Sequence, residues 1–173
     1  MDENRKRLIA MRNAIEPAER ALFSKNICCA IINSSEYKAA GSVMCYYAVG
    51  SEADLSVLIA HAMQSGKRVL LPRCNTADTT ITPCVFDGRL VPGAYGIPEP
   101  VGEAAEPDLI VCPMLAFNGQ RFRIGYGAGY YDRLLAGSRA VFFGAAFAQQ
   151  YREFEPKPHD AALHRIYTQE EIF

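Results

Sequence analysis

The chain has 173 residues, a length typical of a single domain, and we expect one domain spanning residues 1–173. Half of the residues are hydrophobic and 21% are charged, which excludes a disordered or fibrous protein. Eighteen Lys and Arg residues against nineteen Asp and Glu residues give a net charge of −1. This balance excludes a broadly basic surface for nucleic acid or an anionic membrane, so we expect any anionic ligand to be bound locally.

The six cysteines show no metal-site spacing, because no two of them are separated by two residues. They are Cys28, Cys29, Cys45, Cys74, Cys84 and Cys112. We expect reduced thiols, most of them buried as small hydrophobic side chains. The charged N-terminal segment lacks a signal-peptide core, and no apolar run reaches the ~18 residues of a membrane span. A cytoplasmic protein is therefore predicted.

Two helices are predicted at the start of the chain. Residues 2–14 are rich in Arg and Lys and predict a short basic helix, and Pro17 begins a second helix that runs to about residue 32. The second helix is expected to bury a stripe of residues at three- and four-residue spacing: Phe23, Ile27, Ala30 and Ile31.

A strand, a helix and a second strand are predicted next. The apolar run at residues 43–49 predicts a strand, and residues 51–54 resemble a capping box at a helix start. Gly66 is expected to end this helix, and residues 69–71 to form the second strand. A unit of this kind implies parallel strands joined by a crossover. Its helix is expected to bury Leu55, Leu58, Ile59, Ala62 and Met63.

The second half of the chain adds four more predicted strands. Residues 79–86 predict a strand at the edge of the sheet, and the Gly- and Pro-rich stretch 87–107 predicts a loop. Further strands are predicted at residues 109–112, 140–147 and 165–168. The predicted fold class is therefore α/β, a three-layer domain with helices on both faces of a mostly parallel or mixed sheet.

The most unusual segment is a glycine-rich loop ahead of a predicted helix at residues 130–135. Gly125, Gly127 and Gly129 alternate with other residues, which would let the backbone approach a ligand closely with its N–H groups turned inward. Together with the positive end of the helix, this arrangement predicts a phosphate cradle, with Arg123 and Arg133 as flanking cations. The alternative is a turn that serves only helix packing.

Two familiar glycine loops are excluded by spacing. A dinucleotide-binding fingerprint needs its third glycine at position 130, which is Tyr130, and it belongs after the first strand. A P-loop needs Gly-Lys followed by Ser or Thr, which is absent. We therefore expect a Rossmann-like sheet without a dinucleotide fingerprint.

Two aspartates are candidate metal ligands. Asp132 follows the glycine loop, where a carboxylate could hold Mg²⁺, and Asp160 lies in a proline-flanked loop. As alternatives, Asp132 is a favourable charge in a first helical turn and Asp160 is a solvated loop acid. His159 and His164 have no serine or cysteine partner at a recognisable spacing, so we predict no catalytic triad.

The end of the first predicted strand supplies candidate binding residues. Glu52 lies beyond this strand, on the side where open α/β sheets bind ligands, although an acid at a helix start also has a structural explanation. Tyr46 and Tyr47 alternate across the strand, so one is expected to face a ligand and the other the core.

The segment from Asp108 to Leu135 resembles the signature of the 5-formyltetrahydrofolate cyclo-ligase family, also called methenyltetrahydrofolate synthetases. In it, a strand and a proline lead to Leu115-Ala116-Phe117 and then to the run from Arg123 to Arg133, which reads RIGYGAGYYDR. The resemblance extends over nearly the whole chain. Weaker matching elements are Arg5-Lys6 with Arg12, Glu52-Ala53-Asp54, Gly66-Lys67-Arg68, Leu71-Pro72-Arg73, the stretch 91–100, and Pro158-His159-Asp160.

The resemblance implies a cytoplasmic enzyme of one-carbon metabolism, a cyclising carbon–nitrogen ligase. Such an enzyme uses ATP and Mg²⁺ to convert 5-formyltetrahydrofolate to 5,10-methenyltetrahydrofolate, with release of ADP and phosphate. Besides these small molecules we expect no nucleic-acid or membrane partner, and we expect a monomer.

The resemblance also implies residue roles. The implied ATP contacts are Arg5, Arg123, Ile124, Gly125, Tyr126, Gly127, Ala128, Gly129, Tyr130 and Tyr131. The implied folate contacts are Tyr47, Glu52 and Tyr130, the implied metal ligands are Asp132 and Asp160, and the implied catalytic residues are Arg123, Tyr130 and Asp132.

Two positions depart from the family pattern. Ala128 stands where many members have Gly or Lys, and a methyl group there would cost about 1 kcal/mol or more if the position needs a positive φ. Met1 stands where many members have Lys, so either ATP affinity is weakened or Lys6 substitutes. Two alternatives stay open: a catalytically silent folate- or nucleotide-binding relative, and a related enzyme acting on another small formylated or phosphorylated molecule.

Overall fold

The computed structural model describes residues 2–158 and 160–173, which fold into α-helices and β-strands. Met1 and His159, both named above, lie outside the described residues. The helices are α1 (Glu3–Asn13), α2 (Pro17–Asn33), α3 (Ser35–Ala39), α4 (Ser56–Gln64) and α5 (Tyr130–Ala136). The strands are β1 (Ser42–Met44), β2 (Arg68–Asn75), β3 (Thr80–Val85), β4 (Leu90–Pro92), β5 (Pro98–Pro100), β6 (Leu109–Cys112), β7 (Ala116–Phe117), β8 (Arg123–Ile124), β9 (Val141–Ala145) and β10 (Arg165–Tyr167).

A six-stranded mixed sheet with the order β10-β9-β6-β1-β2-β3 forms the centre of the fold. Its first five strands in this order are parallel, and β3 pairs antiparallel to β2 at the edge. In the middle of the sheet, Val43 lies opposite Val69 on one side and Leu109 on the other. The predicted parallel strand–helix–strand unit and the predicted edge strand are both confirmed.

The two faces of the sheet bury different side chains, because successive residues of a strand point to opposite faces. Val43, Leu109 and Val111 pack in one cluster with residues of α2 and α4. Met44 and Ile110 pack in a second cluster, which includes Leu135 of α5 and side chains of the C-terminal segment. Helices therefore cover both faces, as the three-layer prediction requires.

The start of α4 differs from the prediction. The helix begins at Ser56, and Asp54 Oδ1 accepts from the Ser56 backbone N–H at 2.8 Å. Ser51 does not cap it, since the Ser51 hydroxyl is buried and accepts from Arg12 Nε at 2.9 Å. The capping-box prediction is thus wrong, because a distant arginine binds the serine that the pattern assigned to the helix. Met63, expected to be buried, is 43% exposed.

The stretch 87–107 is more ordered than the predicted loop. Its strands β4 and β5 pair antiparallel around a 3₁₀ turn at Ala94–Gly96. A buried carboxylate holds this turn, since Glu99 Oε1 accepts from the backbone N–H groups of Cys74 at 3.1 Å and Ala94 at 3.2 Å. Glycine and proline mark turns in the sequence, but the anchoring contact crosses to β2 and leaves no local signal.

Other differences are smaller. The run at 43–49 pairs as a regular strand only to Met44, and the sequence did not indicate α3 or the β7–β8 hairpin.

All six cysteines are free, with Cys29 exposed, Cys74 half-buried and the other four buried. Among residues 2–158 and 160–173, no helix combines the length and apolar character that crossing a membrane requires.

Candidate active site

A cavity of about 1110 Å³ opens beyond the carboxyl ends of β1 and β6. The chain leaves these two neighbouring parallel strands toward opposite edges of the sheet. From β1 it passes through α4 to β2, and from β6 it passes to β9 on the other side. Such a switch point is where open α/β sheets bind ligands. Because one small-molecule site typically occupies about 300–1,000 Å³, the cavity has room for more than one small ligand.

All of the site residues expected from the sequence line this one cavity. Separate parts of the chain supply them: α1, the segment after β1, the glycine loop with α5, and the segment near residue 160. They are Arg5, Tyr47, Glu52, Arg123, Ile124, Gly125, Tyr126, Gly127, Ala128, Gly129, Tyr130, Tyr131, Asp132 and Asp160. The fold thus brings the whole expected set together, while the individual roles stay predictions.

Each glycine of the loop has a guanidinium against it. A Cβ built on Gly125 would lie 3.3 Å from Arg123 Nη1. One on Gly127 would lie 3.1 Å from Arg5 Cζ, and one on Gly129 would lie 3.2 Å from Arg133 Nη1. We call Arg123–Gly125, Arg5–Gly127 and Arg133–Gly129 the arginine–glycine pairs. They bring three guanidinium groups to the loop, of which Arg5 and Arg123 also form ion pairs with Asp2 and Asp132.

Hydrogen bonds to loop carbonyls hold two of these arginines. Arg5 Nε donates to the Gly125 carbonyl at 2.9 Å, and Arg133 Nη2 donates to the Ala128 carbonyl at 2.6 Å. The helix behind the loop, α5, has only seven residues, so its dipole is a minor contribution beside three guanidinium groups. At the predicted phosphate cradle, the arginine side chains are therefore expected to contribute more to anion binding than the end of α5.

The backbone angles of the loop bear on Ala128. Gly127 and Gly129 have φ values of 106° and 74°, which favour glycine. Among the described non-glycine residues, only Thr79, Tyr95 and Arg121 have a positive φ. Ala128 therefore has an ordinary φ, and the strain considered from the sequence does not arise.

Arg123 and Asp132 form an ion pair in the cavity wall. Arg123 Nη2 donates to Asp132 Oδ1 at 2.8 Å, and the two side chains are 4% and 26% exposed. Arg123 Nε and the Tyr131 hydroxyl are buried with no hydrogen-bond partner among the described residues. Burial raises the pKa of Tyr131 well above its usual value, so this phenol stays a neutral donor. Unpaired buried donors beside a cavity favour a ligand that carries acceptor oxygens.

The carboxylates of the cavity fit Mg²⁺ better than zinc. Asp132 and Asp160 both line it, and Asp160 Oδ2 also accepts from the Lys157 backbone N–H at 2.8 Å. Within residues 2–158 and 160–173, no group of three His, Cys, Asp or Glu side chains could hold a metal. Mg²⁺ typically takes one or two carboxylates together with phosphate oxygens and water, and two aspartates suit that pattern.

The tyrosines after β1 separate as expected. Tyr46 is buried and its hydroxyl donates to the Ala53 carbonyl at 2.8 Å, while Tyr47 is 42% exposed on the cavity wall.

Glu52 lies outside α4, so the interpretation of Glu52 as an acid at a helix start is wrong. Its Oε2 accepts from the Val49 backbone N–H at 2.9 Å, and its Oε1 accepts from the Tyr126 hydroxyl at 2.5 Å.

Sequence reasoning missed Tyr95, which lies in the 3₁₀ turn with a φ of 59° and is 71% exposed on the cavity rim. Its hydroxyl lies 3.0 Å from that of Tyr130, and this hydrogen bond raises the pKa of Tyr130 to about 12. The only local signal is an aromatic residue within a Gly- and Pro-rich stretch, which is too common a pattern to indicate a site.

Comparison with known proteins decides the family. The sequence model of the 5-formyltetrahydrofolate cyclo-ligase family matches residues 2–169, nearly the whole chain. The chain belongs to this family. A 5-formyltetrahydrofolate cyclo-ligase of Mycolicibacterium smegmatis is 33% identical over 152 residues, which cover 78% of this chain and 77% of that protein.

Solved structures agree with this assignment to the cyclo-ligases. The 5,10-methenyltetrahydrofolate synthetase of Aquifex aeolicus superposes with a TM-score of 0.86 at 27% identity, covering 97% of this chain and 89% of that one. The corresponding enzyme of Mycoplasma pneumoniae superposes with a TM-score of 0.81 at 22% identity, covering 98% and 100% of the two chains. The second comparison shows a shared fold.

Proposed function

We propose that the protein uses ATP and Mg²⁺ to convert 5-formyltetrahydrofolate to 5,10-methenyltetrahydrofolate. The observation that carries this proposal is a single cavity lined by the arginine–glycine pairs and also by Tyr47, Glu52 and Tyr130. One set of residues suits a polyphosphate and the other an aromatic, hydrogen-bonding ring system. Membership of the cyclo-ligase family supports the same substrate pair.

The chemistry explains why both ligands must meet in one cavity. The formamide carbon of the folate is a poor electrophile, so the formyl oxygen takes the γ-phosphoryl group of ATP and ADP leaves. N10 then attacks the activated carbon and gives up its proton, and the carbon–oxygen bond breaks to release phosphate. Phosphoryl transfer needs mainly positioning and charge neutralisation from the protein.

The glycine loop and its arginines are proposed to bind ATP. Arg5 reaches the loop from α1, Arg123 from β8 and Arg133 from α5. The unpaired Arg123 Nε and Tyr131 hydroxyl are donors suited to the oxygens of the transferred phosphoryl group. These donors are placed before the reaction begins, which lowers the cost of reorganisation as charge develops.

Asp132 and Asp160 are proposed as the carboxylates that hold Mg²⁺. The bound ion would neutralise phosphate charge during the transfer. Asp132 already gives Oδ1 to Arg123, so its second oxygen is the one left for a metal. Arg123 thereby restrains the direction in which the Asp132 carboxylate points.

Tyr47, Glu52 and Tyr130 are proposed to bind and orient the folate. The ring of Tyr47 offers an aromatic surface, and Glu52 is a carboxylate acceptor whose two oxygens are held by Val49 and Tyr126. Tyr130 lies between the glycine loop and Tyr95. It is therefore the residue suited to contact both substrates where they react.

We also propose that the enzyme functions as a monomer. Six free cysteines, four of them buried, suit the reducing cytoplasm where we propose that it acts. Sedimentation at working concentration tests the first inference, and a dimer would contradict it. Fractionation of cells that produce the protein tests the second.

The test of the reaction is turnover of 5-formyltetrahydrofolate by the purified protein with Mg-ATP. We expect methenyl-folate absorbance to rise, with one ADP released for each product formed. The matched control is 5-methyltetrahydrofolate, which has no formyl oxygen and should release no ADP. Binding of both substrates without product would instead indicate a silent binding protein. Turnover of a different formylated molecule alone would indicate another substrate.

A further inference from the structure

A buried arginine outside the expected cavity residues connects three parts of the site. Arg12 of α1 is only 4% exposed. Its Nε donates to the Ser51 hydroxyl at 2.9 Å, its Nη1 to the Met114 carbonyl at 3.2 Å, and its Nη2 to the Tyr126 hydroxyl at 2.9 Å. One side chain thus joins the segment after β1, the segment after β6 and the glycine loop.

The direction of these hydrogen bonds is fixed by the groups involved. A guanidinium has donors and no acceptor, so the Tyr126 oxygen must accept from Arg12. The single phenolic proton of Tyr126 is then left for Glu52 Oε1, which lies 2.5 Å away. Since Glu52 Oε2 accepts from the Val49 backbone, both oxygens of this carboxylate are acceptors. The order is therefore Arg12 to Tyr126 to Glu52.

Tyr126 belongs to two sites at once. It lies between Gly125 and Gly127 in the loop proposed to hold ATP, and its hydroxyl holds the carboxylate proposed to hold the folate. The glycine on each side gives this part of the backbone freedom to move. A shift of the loop on phosphate binding would move the Tyr126 hydroxyl, and with it the Glu52 carboxylate.

We propose that Arg12 is a positioning residue which, through Tyr126, couples ATP binding at the glycine loop to folate binding at Glu52. The inference rests on the proposed function, because it takes its two ligands from there. Coupling between two sites is reciprocal, so each ligand tightens the binding of the other by the same factor. A fixed order of hydrogen bonds through one loop residue is the physical connection that such coupling needs.

The experiment measures the affinity for 5-formyltetrahydrofolate by calorimetry, without and with a saturating non-hydrolysable ATP analogue and Mg²⁺. We expect the wild type to bind folate at least about fivefold more tightly in the presence of the analogue. Tyr126→Phe removes one hydroxyl and should bring this ratio below about twofold. Arg12→Lys keeps the charge but loses the forked donors, and it should lower the ratio to a similar extent.

A double-mutant cycle separates coupling from a merely structural role. If Arg12 acts through Tyr126, the Arg12→Lys/Tyr126→Phe variant should lower the ratio no further than either single variant. Tyr151→Phe is the matched control, since its hydroxyl bonds Glu153 away from the cavity, and it should keep the wild-type ratio. A purely structural Arg12 would give a lower melting temperature with an unchanged ratio, which would overturn the inference.

Failure of the proposed function gives a different result. A wild type that binds both ligands with a ratio above fivefold but forms no product would refute the reaction and support the coupling. Normal turnover with a wild-type ratio of one, or with an unchanged ratio in Tyr126→Phe, would refute the coupling and leave the reaction in place. A wild type that binds neither ligand would refute both.

Discussion

A Cβ at position 127 would lie 3.1 Å from Arg5 Cζ, so the guanidinium of Arg5 would have to shift to admit a side chain there. Gly127 also has a φ of 106°, so Gly127→Ala combines backbone strain with displacement of an arginine proposed to bind ATP. We expect a loss of stability of about 1–3 kcal/mol and at least a tenfold loss of ATP affinity. Thermal denaturation and calorimetric titration with ATP measure the two effects.

Gly88 provides the matched control for this variant. Its φ is 96°, close to that of Gly127, but a Cβ there would meet no atom within 4 Å. Gly88→Ala should therefore lower stability through backbone strain alone and leave ATP affinity unchanged. Equal ATP affinities in the two variants would show that the position of Arg5 does not matter for ATP.

Ala128→Gly tests whether the alanine weakens the loop. Because Ala128 has an ordinary φ, its methyl group imposes no strain, and removing it only adds freedom to the unfolded chain. We expect a loss of stability of roughly 0.5 kcal/mol and no gain in ATP affinity. An increase in ATP affinity on substitution, measured by titration, would contradict this view of the loop.

Asp132→Asn should affect both activity and stability. The amide is a weaker ligand for Mg²⁺ because it lacks the negative charge of the carboxylate, so we expect at least a hundredfold loss of Mg²⁺-dependent turnover. It also leaves the charge of Arg123, whose side chain is 4% exposed, without its counter-ion. Since Asp132 itself is a quarter exposed, we expect a loss of about 1–2 kcal/mol, below the cost of breaking a fully buried pair.

Asp160→Asn tests the second proposed metal ligand. Asp160 is half-buried and accepts from the Lys157 backbone. We expect this variant to raise the Mg²⁺ concentration needed for half-maximal turnover. Wild-type Mg²⁺ dependence in both variants would remove these residues from the metal site.

Glu52→Gln tests the proposed folate contact. An amide has one acceptor oxygen where the carboxylate has two, so it loses either the Val49 or the Tyr126 hydrogen bond. We expect folate affinity to fall about tenfold. Asp54→Ala is the control, because it removes the bond to the start of α4 and should cost about 1 kcal/mol without changing folate affinity. An unchanged folate affinity in Glu52→Gln would remove Glu52 from the folate site.

Alkaline titration should detect the environment of Tyr126. Burial and the nearby Glu52 charge raise the pKa of Tyr126 from 10 to about 12. An unfolded chain ionises this phenol first, so its contribution to stability is complete below pH 10 and is lost as the pH rises toward 12. The difference in tyrosinate absorbance between the wild type and Tyr126→Phe should titrate near pH 12. A midpoint near 10 would contradict the buried contact.

Local patterns predicted much of the fold and the membership of the site. The apolar repeats identified α2, β2 and β6, because burial on one or both faces leaves a periodic signal in the sequence. The alternating glycines identified the loop, and two of them, Gly127 and Gly129, have positive φ values that disfavour side chains. The apolar repeats and the alternating glycines are both patterns among residues that are close together in the sequence.

Contacts between distant residues were not predictable in the same way. Ser51 has the right spacing for a helix cap, but Arg12, 39 positions earlier, binds it. Glu99 gives the Gly- and Pro-rich stretch its order through a bond to Cys74, and neither residue signals the other in the sequence. Glu52 was correctly expected on the cavity. The alternative role at a helix start was wrong, because Glu52 Oε1 instead accepts from the distant Tyr126 hydroxyl.

The arginine–glycine pairs have a consequence for how such a loop can change over time. Each guanidinium lies 3.1–3.3 Å from where a Cβ on its glycine would be, so a side chain on the glycine would force the arginine to shift. A relative that carries a larger residue at one of the three glycine positions should therefore also differ at the arginine that faces it. The three pairs are thus expected to vary as units, and joint substitution across many relatives would reveal them without any structure.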